Sequence, residues 1–372
     1  MSLSALQIVL IASAITCGLS ATLAALLVLA ERYLVNYGPC TIDVNSGAKR
    51  FEVTGGEMLL TSLRSAGVYL PSACGGRGTC AYCKCRILEG GGPVAPTEAP
   101  LLTAQEVSSG TRISCQVKVR NDLSVVVPGE LLAAGQFRGT VERIRDLTHD
   151  VKELRIRLIE PETIDFVAGQ YVQLDTPPYD GVRESVFRAY SISSPPGDKN
   201  HVELIIRLVP GGICTTWVFT VLKEGDEVSF TGPFGEFGLS EGDREMLWIA
   251  GGSGMAPFWS IVRHMRDSNI RRPCTYFFGA VQKRDMFLLA ELRGLERELD
   301  WFHFVPALSA PAAADDWDGQ TGLITEVLDR RVEAGTDAEA YLCGSGGMID
   351  AAIKALKAKG IGDERIFYDK FT

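Results

Sequence analysis

Residues 71–83 read PSACGGRGTCAYC, and a further cysteine follows downstream within the stretch ISCQV. The first three cysteines have the spacing C-x5-C-x2-C. An iron–sulfur cluster needs several thiolates that converge on one point, and glycines let the backbone approach the inorganic core without Cβ clashes. The stretch therefore predicts a [2Fe–2S] cluster held by Cys74, Cys80, Cys83 and Cys115, with a first gap one residue longer than in the plant-type ferredoxin pattern.

Two other readings of these cysteines are a zinc site and a disulfide pair. Structural zinc sites favour two C-x2-4-C pairs, whereas here the fourth cysteine stands alone. Cys85 follows closely in CKCRI. Because side chains alternate along a strand, we expect Cys85 to point away from the cluster and to pack as a small apolar group.

Length, charge and cysteine content limit the class of protein. At 372 residues the chain is too long for one ordinary core, so two to three domains are expected. Ten cysteines, four of them predicted to bind iron, must stay reduced, which favours domains that face the cytoplasm. The net charge of −9 excludes a nucleic-acid footprint but suits a docking partner of opposite charge.

The N-terminal region contains a long apolar segment. From Ile8 to Ala30 there is no charged residue, and a helix of this length spans roughly 35 Å, enough to cross a bilayer core. A cleaved signal peptide is the alternative, but the start MSLSALQ lacks its basic region. We therefore predict a single-pass anchor over residues 1–36, in the inner membrane, with the redox domains in the cytoplasm.

The pattern of predicted strands and helices changes twice along the remaining chain. Residues 37–132 mix short strands with one helix around the cysteines, which predicts an α+β domain. Residues 133–240 contain six strand patterns separated by Pro and Gly turns, which predicts an antiparallel β-barrel. Residues 241–372 alternate strands and helices, which predicts a Rossmann-like α/β domain with a parallel sheet.

The tetrapeptide Arg188-Ala189-Tyr190-Ser191 follows a Pro-containing loop in the barrel region. A flavin needs an aromatic platform, a hydrogen-bond donor near N5 and a cation for its pyrophosphate, and these residues supply all three. An ordinary barrel strand is the alternative. The stretch PGGICTTW at 210–217 strengthens the flavin reading, because it opens a helix whose N–H groups can cradle phosphate.

Two further motifs suit a nicotinamide dinucleotide. AGGSGMAP at 250–257 lies between a buried strand and an amphipathic helix, although it is not G-x-G-x-x-G and a plain strand–helix turn is the alternative. Cys343 and Gly344 lie at the tip of a later strand, where open parallel sheets bind ligands, although a buried Cys is usually inert packing. The four histidines show no ligand spacing.

The motifs ACGGRGTCAYC, RAYSIS, SFTGPFGEF, AGGSGMAP, DDWDGQTG and YLCG…MIDAA occur in this order behind the apolar segment. Together they resemble the F subunits of sodium-translocating NADH:quinone oxidoreductases, a family of ferredoxin–flavin–NAD reductases, over nearly the whole chain. The resemblance implies that NADH reduces FAD, that FAD reduces the [2Fe–2S] cluster, and that other membrane subunits of a quinone reductase are the partners.

The resemblance also implies site residues by matching position. Ser191 and Cys343 are the implied catalytic residues, beside the reacting rings. The residues implied for FAD are Arg188, Ala189, Tyr190, Ser191, Gly212, Ile213, Cys214, Thr215, Thr216 and Phe371. Those implied for NADH are Gly251, Gly252, Ser253, Gly254, Met255, Ala256, Pro257, Cys343 and Gly344.

Departures from the family pattern keep other functions open. The segment from Gln170 to Arg188 lacks a long insertion that the family carries, and the loop CGSGG replaces the usual CGPP. The closing RIFYDKFT is closer to soluble oxygenase reductases such as that of phenol hydroxylase. The main alternative is thus an anchored NADH-dependent reductase that serves an oxygenase or another acceptor. A non-catalytic electron carrier is a third hypothesis, which the intact glycine loops disfavour.

Overall fold

The computed structural model describes residues 4–34 and 37–371. The chain divides into two compact units, the first formed by Met1–Ala66 with Lys84–Pro128 and the second by Gly67–Cys83 with Gly129–Thr372. Residues 1–3 and 35–36 of the predicted anchor, and residue 372 of the predicted NAD domain, lie outside the described residues. We call Gly67–Cys83 the cysteine loop.

Helix α1 (Ala5–Leu34) carries the apolar segment. Its window Val9–Ala30 has a mean hydropathy of 2.0, and none of the window is buried against the rest of the chain. By length and composition this helix can cross a bilayer, although a signal sequence has the same properties.

The first unit contains a five-stranded sheet. Its elements are β1 (Pro39–Val44), β2 (Lys49–Thr54), α2 (Leu59–Ser65), β3 (Lys84–Glu89), α3 (Ala104–Ser108), β4 (Thr111–Ile113) and β5 (Leu123–Val126). The strand order is β2-β1-β5-β3-β4, with β1 and β5 parallel and the other pairs antiparallel. Alternate residues of β1 and the apolar face of α2 are buried, so this unit has the predicted α+β character.

A buried ion pair fixes the segment before β4. Arg112 donates from Nε and Nη2 to the carboxylate of Glu98 at 2.9 and 2.5 Å, and its Nη1 donates to the carbonyls of Gly91 and Gly92. Glu98 also accepts the N–H of Ile113 at 3.0 Å. The side chains of Arg112 and Glu98 are 7% and 0% exposed. Each charge therefore compensates the free-energy cost of removing the other from water.

The second unit begins with an antiparallel sheet. Its elements are β6 (Gly135–Asp146), β7 (Val151–Glu160), β8 (Tyr171–Thr176), β9 (Val186–Ser191), β10 (His201–Arg207), α4 (Ile213–Thr220) and β11 (Glu227–Phe234). The order is β10-β7-β6-β11-β8-β9, and a bridge between Ile192 and Leu204 brings the end of β9 to β10. The sheet therefore curls around an apolar core that includes Leu154, Val172 and Phe230.

A parallel sheet completes the second unit. Its elements are β12 (Glu245–Gly251), α5 (Met255–Asp267), β13 (Cys274–Ala280), α6 (Leu289–Glu298), β14 (Phe302–Leu308), β15 (Gln320–Thr321), α7 (Ile324–Arg331), β16 (Ala338–Ser345), α8 (Gly346–Ala358) and β17 (Ile366–Phe371). The order is β15-β14-β13-β12-β16-β17. Trp248 packs with α5 and α6, whereas its neighbours Leu247 and Ile249 pack with α7 and α8. Helices thus cover both faces, as predicted.

The strand order of this sheet indicates where a ligand binds. The chain runs outward from β12 through β13 and β14, and then returns to β16 on the other side of β12. In open α/β sheets, ligands bind at the carboxyl ends of strands where the order reverses in this way. Gly251 at the end of β12 and Ser345 at the end of β16 mark that edge.

The buried ion pair leads to a stability prediction. Replacing Arg112 by Met leaves the carboxylate of Glu98 buried without its cation, which costs about 3–5 kcal/mol. Hydrogen exchange at the amides of β3 and β4 in the full chain measures this loss locally. The matched control is Lys84→Met, which breaks the partly exposed Lys84–Glu106 pair and should destabilise the unit much less, because water screens this pair. Equal effects of the two substitutions would contradict the prediction.

Candidate active site

A cavity of about 770 Å³ lies in the second unit, at the carboxyl ends of the parallel strands and beside β9. Three parts of the unit line it: the curled sheet with the turn before α4, the edge of the parallel sheet, and the cysteine loop. The predicted site residues that line the cavity are Arg188, Ala189, Tyr190, Ser191, Gly212, Ile213, Cys214, Thr215, Gly251, Gly252, Ser253 and Phe371. Those outside its lining are Thr216, Gly254, Met255, Ala256, Pro257, Cys343 and Gly344.

Strand β9 supplies one wall of the cavity. Arg188 and Tyr190 are half-buried, and Ser191 is buried. Burial raises the pKa of Tyr190 well above its usual value, and a hydrogen bond with the thiol of Cys214 adds to this effect. Tyr190 is therefore neutral, and its ring is available as a flat apolar surface.

The first turn of α4 forms a second wall. Gly212 is the N-cap, and Thr215 Oγ1 accepts the N–H of Val209 at 3.1 Å, which fastens the turn. Unpaired N–H groups at a helix start favour anionic groups such as phosphates. Thr216 lies one position further along the helix, and its N–H donates to the carbonyl of Gly212 at 2.9 Å.

Glycines bring the turn after β12 close to β16. Gly252 has φ +57, which favours glycine. A Cβ at Gly254 would overlap the carbonyl group of Cys343. The following residues Met255 and Ala256 belong to α5 and are buried in the core, so they support the turn without reaching the cavity.

Cys343 lies under the cavity. It is fully buried in the core that contains Trp248 and Tyr276, and burial raises the pKa of its thiol well above the usual value. Ser345, two residues further along the chain, and the side chain of Met348 line the cavity instead. The catalytic role of Cys343 stays a prediction.

Asp369 in β17 is a site residue that sequence reasoning missed. It lines the cavity and is hydrogen-bonded to Ser191. Burial raises the pKa of Asp369 to about 6, although the hydrogen bond with Ser191 opposes that shift. The only signal in the sequence is a single acidic residue among the aromatic residues of the last strand, RIFYDKF.

The cysteine loop carries three of the predicted cluster ligands. The Sγ atoms of Cys74 and Cys80 lie 3.4 Å apart. Gly75, Gly76 and Gly78 have φ of +65, +84 and +75, conformations that favour glycine. The hydrogen bond between the two thiols lowers the pKa of Cys74 and raises the pKa of Cys80. A glycine-rich loop that brings two thiols this close together fits an iron–sulfur cluster, whose ligands converge on one point.

The other two predicted ligands, Cys83 and Cys115, belong to different units of the chain. Cys83 ends the cysteine loop and is 1% exposed, whereas Cys115 belongs to the first unit and is 4% exposed. The described residues contain no group of three or more His, Cys, Asp or Glu side chains arranged as a metal site. The full ligand set therefore stays a prediction.

Cys85 behaves as a packing residue. It lies in β3 with 3% exposure, and burial raises the pKa of its thiol to about 12.

Three family models match consecutive parts of the chain. Residues 42–120 match a 2Fe-2S iron-sulfur cluster binding domain, residues 138–238 an oxidoreductase FAD-binding domain, and residues 248–354 an oxidoreductase NAD-binding domain. The cofactors of this chain are thus a [2Fe–2S] cluster, FAD and NADH, as predicted.

Similar proteins extend over nearly the whole chain. The F subunit of the Na(+)-translocating NADH-quinone reductase of Histophilus somni is 36% identical, covering 94% of this chain and 96% of the relative. That of Pseudomonas aeruginosa is 37% identical, with coverages of 94% and 95%. Among solved structures, the Amycolatopsis cytochrome P450 reductase GcoB has a TM-score of 0.72 at 30% identity and covers 90% of this chain and 99% of its own. The ferredoxin reductase in carbazole 1,9a-dioxygenase has a TM-score of 0.68 at 26% identity, with coverages of 90% and 98%.

The placement of the cysteines leads to an assignment test. We expect Cys83→Ala to abolish the EPR signal of the cluster while flavin stays bound, because loss of one thiolate opens the iron to solvent. Cys85→Ala is the matched control, and it should keep the signal because Cys85 only packs. Loss of the signal in the Cys85 variant together with its survival in the Cys83 variant would show that the ligand assignment is wrong.

The contact between Asp369 and Ser191 leads to a pH prediction. Below a pH of about 6 we expect the carboxyl group of Asp369 to be protonated, so that it can donate to Ser191 and leave the serine hydroxyl free to donate into the cavity. Above it, the carboxylate accepts that hydroxyl instead. We therefore expect stopped-flow reduction of the bound flavin by NADH to slow by about threefold or more as pH rises through this value.

Asp369→Asn should remove this inflection, because the amide donates at every pH. The exposed Asp165→Asn, whose partner Lys199 lies outside the cavity lining, is the control and should keep it. An unchanged profile in the Asp369 variant would exclude this positioning role.

Proposed function

The chain belongs to the family formed by the F subunits of Na(+)-translocating NADH-quinone reductases, and we propose that it is the electron-input module of such a complex. It oxidises NADH and passes the electrons through FAD to a [2Fe–2S] cluster. One observation carries the proposal: residues of the flavin strand, the nucleotide turn and the cysteine loop line the same cavity within one compact unit. Donor, flavin and cluster loop are then adjacent, and no separate carrier is needed between them.

The residues of the flavin wall have distinct tasks in this proposal. When bound, the flavin accepts an electron pair from NADH and releases the electrons singly. Tyr190 offers its neutral ring for stacking, and Arg188 places a cation where a phosphate binds. The first turn of α4, from Gly212 to Thr216, adds N–H donors, and Phe371 covers the cavity from the end of β17. Ser191 holds a hydroxyl inside the cavity, and Asp369 orients it.

The nucleotide wall receives NADH. The turn from Gly251 to Ser253 lets the backbone approach the pyrophosphate, because no Cβ intervenes at the glycines. Gly254 and the residues up to Pro257 support this turn from below, as do Cys343 and Gly344. We propose Cys74, Cys80, Cys83 and Cys115 as the cluster ligands.

The arrangement along the chain is proposed to be an anchor over residues 1–36, a ferredoxin-like domain over 37–132, a FAD domain over 133–240 and an NAD domain over 241–372. The reduced cysteines and the supply of NADH favour an inner membrane with these domains in the cytoplasm. Other membrane subunits of the quinone reductase are the proposed partners.

A second function is favoured by the solved structures that resemble this chain. GcoB is a cytochrome P450 reductase and the carbazole protein serves a dioxygenase, and this chain covers 99% and 98% of them. An anchored NADH-dependent reductase that delivers electrons to an oxygenase would use the same cavity. The acceptor, and not the chemistry of the cavity, separates the two functions.

Removing the anchor tests the proposed function. A chain that starts at Asn36 keeps every cofactor site, so we expect it to oxidise NADH with ferricyanide at the rate of the full chain. Added back to membranes, it should sustain quinone reduction poorly, because tethering raises the effective concentration of donor and acceptor. A chain whose α1 is replaced by an unrelated apolar helix of equal length is the matched control, and it should restore quinone reduction.

Two results would argue against this function. Equal quinone-linked turnover with and without the anchor would remove the main support for a role within a membrane complex. If neither the full chain nor the truncated chain sustains quinone reduction, while both still oxidise NADH with ferricyanide, the oxygenase-reductase alternative is favoured.

A further inference from the structure

The cysteine loop is fastened to the flavin sheet of the second unit. The buried amide of Gln173 in β8 donates to the carbonyl of Leu70 at 3.0 Å, and the hydroxyl of Tyr69 donates to Gln136 at 3.3 Å. Gly75 lies so close to β9 that a Cβ there would overlap the guanidinium of Arg188. The loop therefore reaches the flavin wall with its own side chains, and Ala73, Arg77 and Tyr82 line the cavity.

Two arginines, Arg77 and Arg188, line this part of the cavity. Arg188 is half-buried, and its Nη1 donates to the carbonyl of Phe187 at 2.6 Å. Burial lowers the pKa of Arg188, and the nearby charge of Arg77 lowers it further. Within residues 4–34 and 37–371, no carboxylate forms an ion pair with either arginine. Two neighbouring cations, one of them partly desolvated, favour an anion between them.

The carboxylates of the same cavity are engaged elsewhere. Asp150 accepts from Arg207 at 2.8 Å, and Asp285 accepts the N–H of Gln282 at 2.9 Å. Asp369 is hydrogen-bonded to Ser191. None of these carboxylates therefore neutralises the two arginines, and an anionic ligand in the cavity would face both cations.

We propose that Arg77 binds a phosphate group of FAD together with Arg188, so that the cysteine loop forms part of the flavin site. The inference rests on the proposed function, which places FAD against β9. The nicotinamide dinucleotide also carries phosphates, but the cation at its turn is a different one: a Cβ at Gly252 would lie 3.4 Å from Nη1 of Arg207. Arg77 belongs to the cysteine loop, which lies against the flavin strand at Gly75, and this placement assigns it to the flavin.

Flavin affinity in the deflavinated full chain tests the assignment. We expect Arg77→Gln to raise the Kd for FAD about tenfold at low salt, the cost of one charge-assisted phosphate contact that is partly open to water. The Kd for riboflavin, which has no phosphate, should not change. Arg77→Lys keeps the charge and should recover most of the affinity. Arg86→Gln, at an exposed arginine of β3, is the matched control and should leave both Kd values unchanged.

The possible outcomes separate the alternatives. An unchanged Kd for FAD, an equal loss for FAD and riboflavin, or a lysine variant as weak as the glutamine variant would each overturn the proposal. Weaker NAD⁺ binding with unchanged FAD binding would also overturn it, because the phosphate would then belong to the nicotinamide dinucleotide. Cluster EPR verifies that the loop is assembled, and Arg77→Ser offers a second neutral side chain if the glutamine variant holds less cluster.

A result that rejects the proposed function can be distinguished from one that rejects the role of Arg77. A native chain that is saturated with FAD but does not oxidise NADH with ferricyanide would reject that function. The comparison of FAD and riboflavin affinities would still decide the role of Arg77.

Discussion

The close approach of Gly75 to Arg188 determines how the redox parts of this protein are arranged. Because no Cβ intervenes, the cysteine loop can lie directly on β9, and its side chains share a cavity with the flavin wall. A second close approach, of Gly254 to Cys343, brings the nucleotide turn against β16. Because no side chain fits at Gly75 or at Gly254, the cysteine loop, the flavin wall and the nucleotide turn can lie around one cavity.

Polar contacts between β10 and α5 keep the flavin wall and the nucleotide wall in a fixed relation. The carboxylate of Glu203, buried in β10, accepts from Arg263 of α5 at 2.8 Å and from Arg155 at 2.6 Å. Ser260 of α5 donates to the carbonyl of Ser194 at 2.6 Å. A buried carboxylate with two cationic partners is costly to expose, so the two walls are expected to move as one body. Such rigidity suits a reaction in which two rings must lie at van der Waals distance.

Most of the fold and the centre of the site could be predicted from the sequence, because periodicity and glycine-rich turns are local signals. The residues RAYS and the glycine turn line the cavity as expected. Thr216 and Met255 to Pro257 lie outside the cavity lining, because a helix turns successive residues away from one face, and their roles stay predictions. Asp369 and Arg77 were missed because they reach the cavity only through tertiary folding, from the last strand and from the cysteine loop. The association of residues 67–83 with the flavin sheet depends on Gln173 and Arg188, which lie about a hundred residues away in sequence.

The position of β17 has a consequence for the order in which the protein becomes active during synthesis. This strand pairs with β16 and brings Asp369 and Phe371 to the cavity, yet it is the last of the described strands to leave the ribosome. The flavin sheet and the nucleotide turn can fold earlier, since domains form as units while translation continues. The cavity of the nascent chain therefore lacks Asp369 and Phe371 until β17 has been synthesised and has paired with β16.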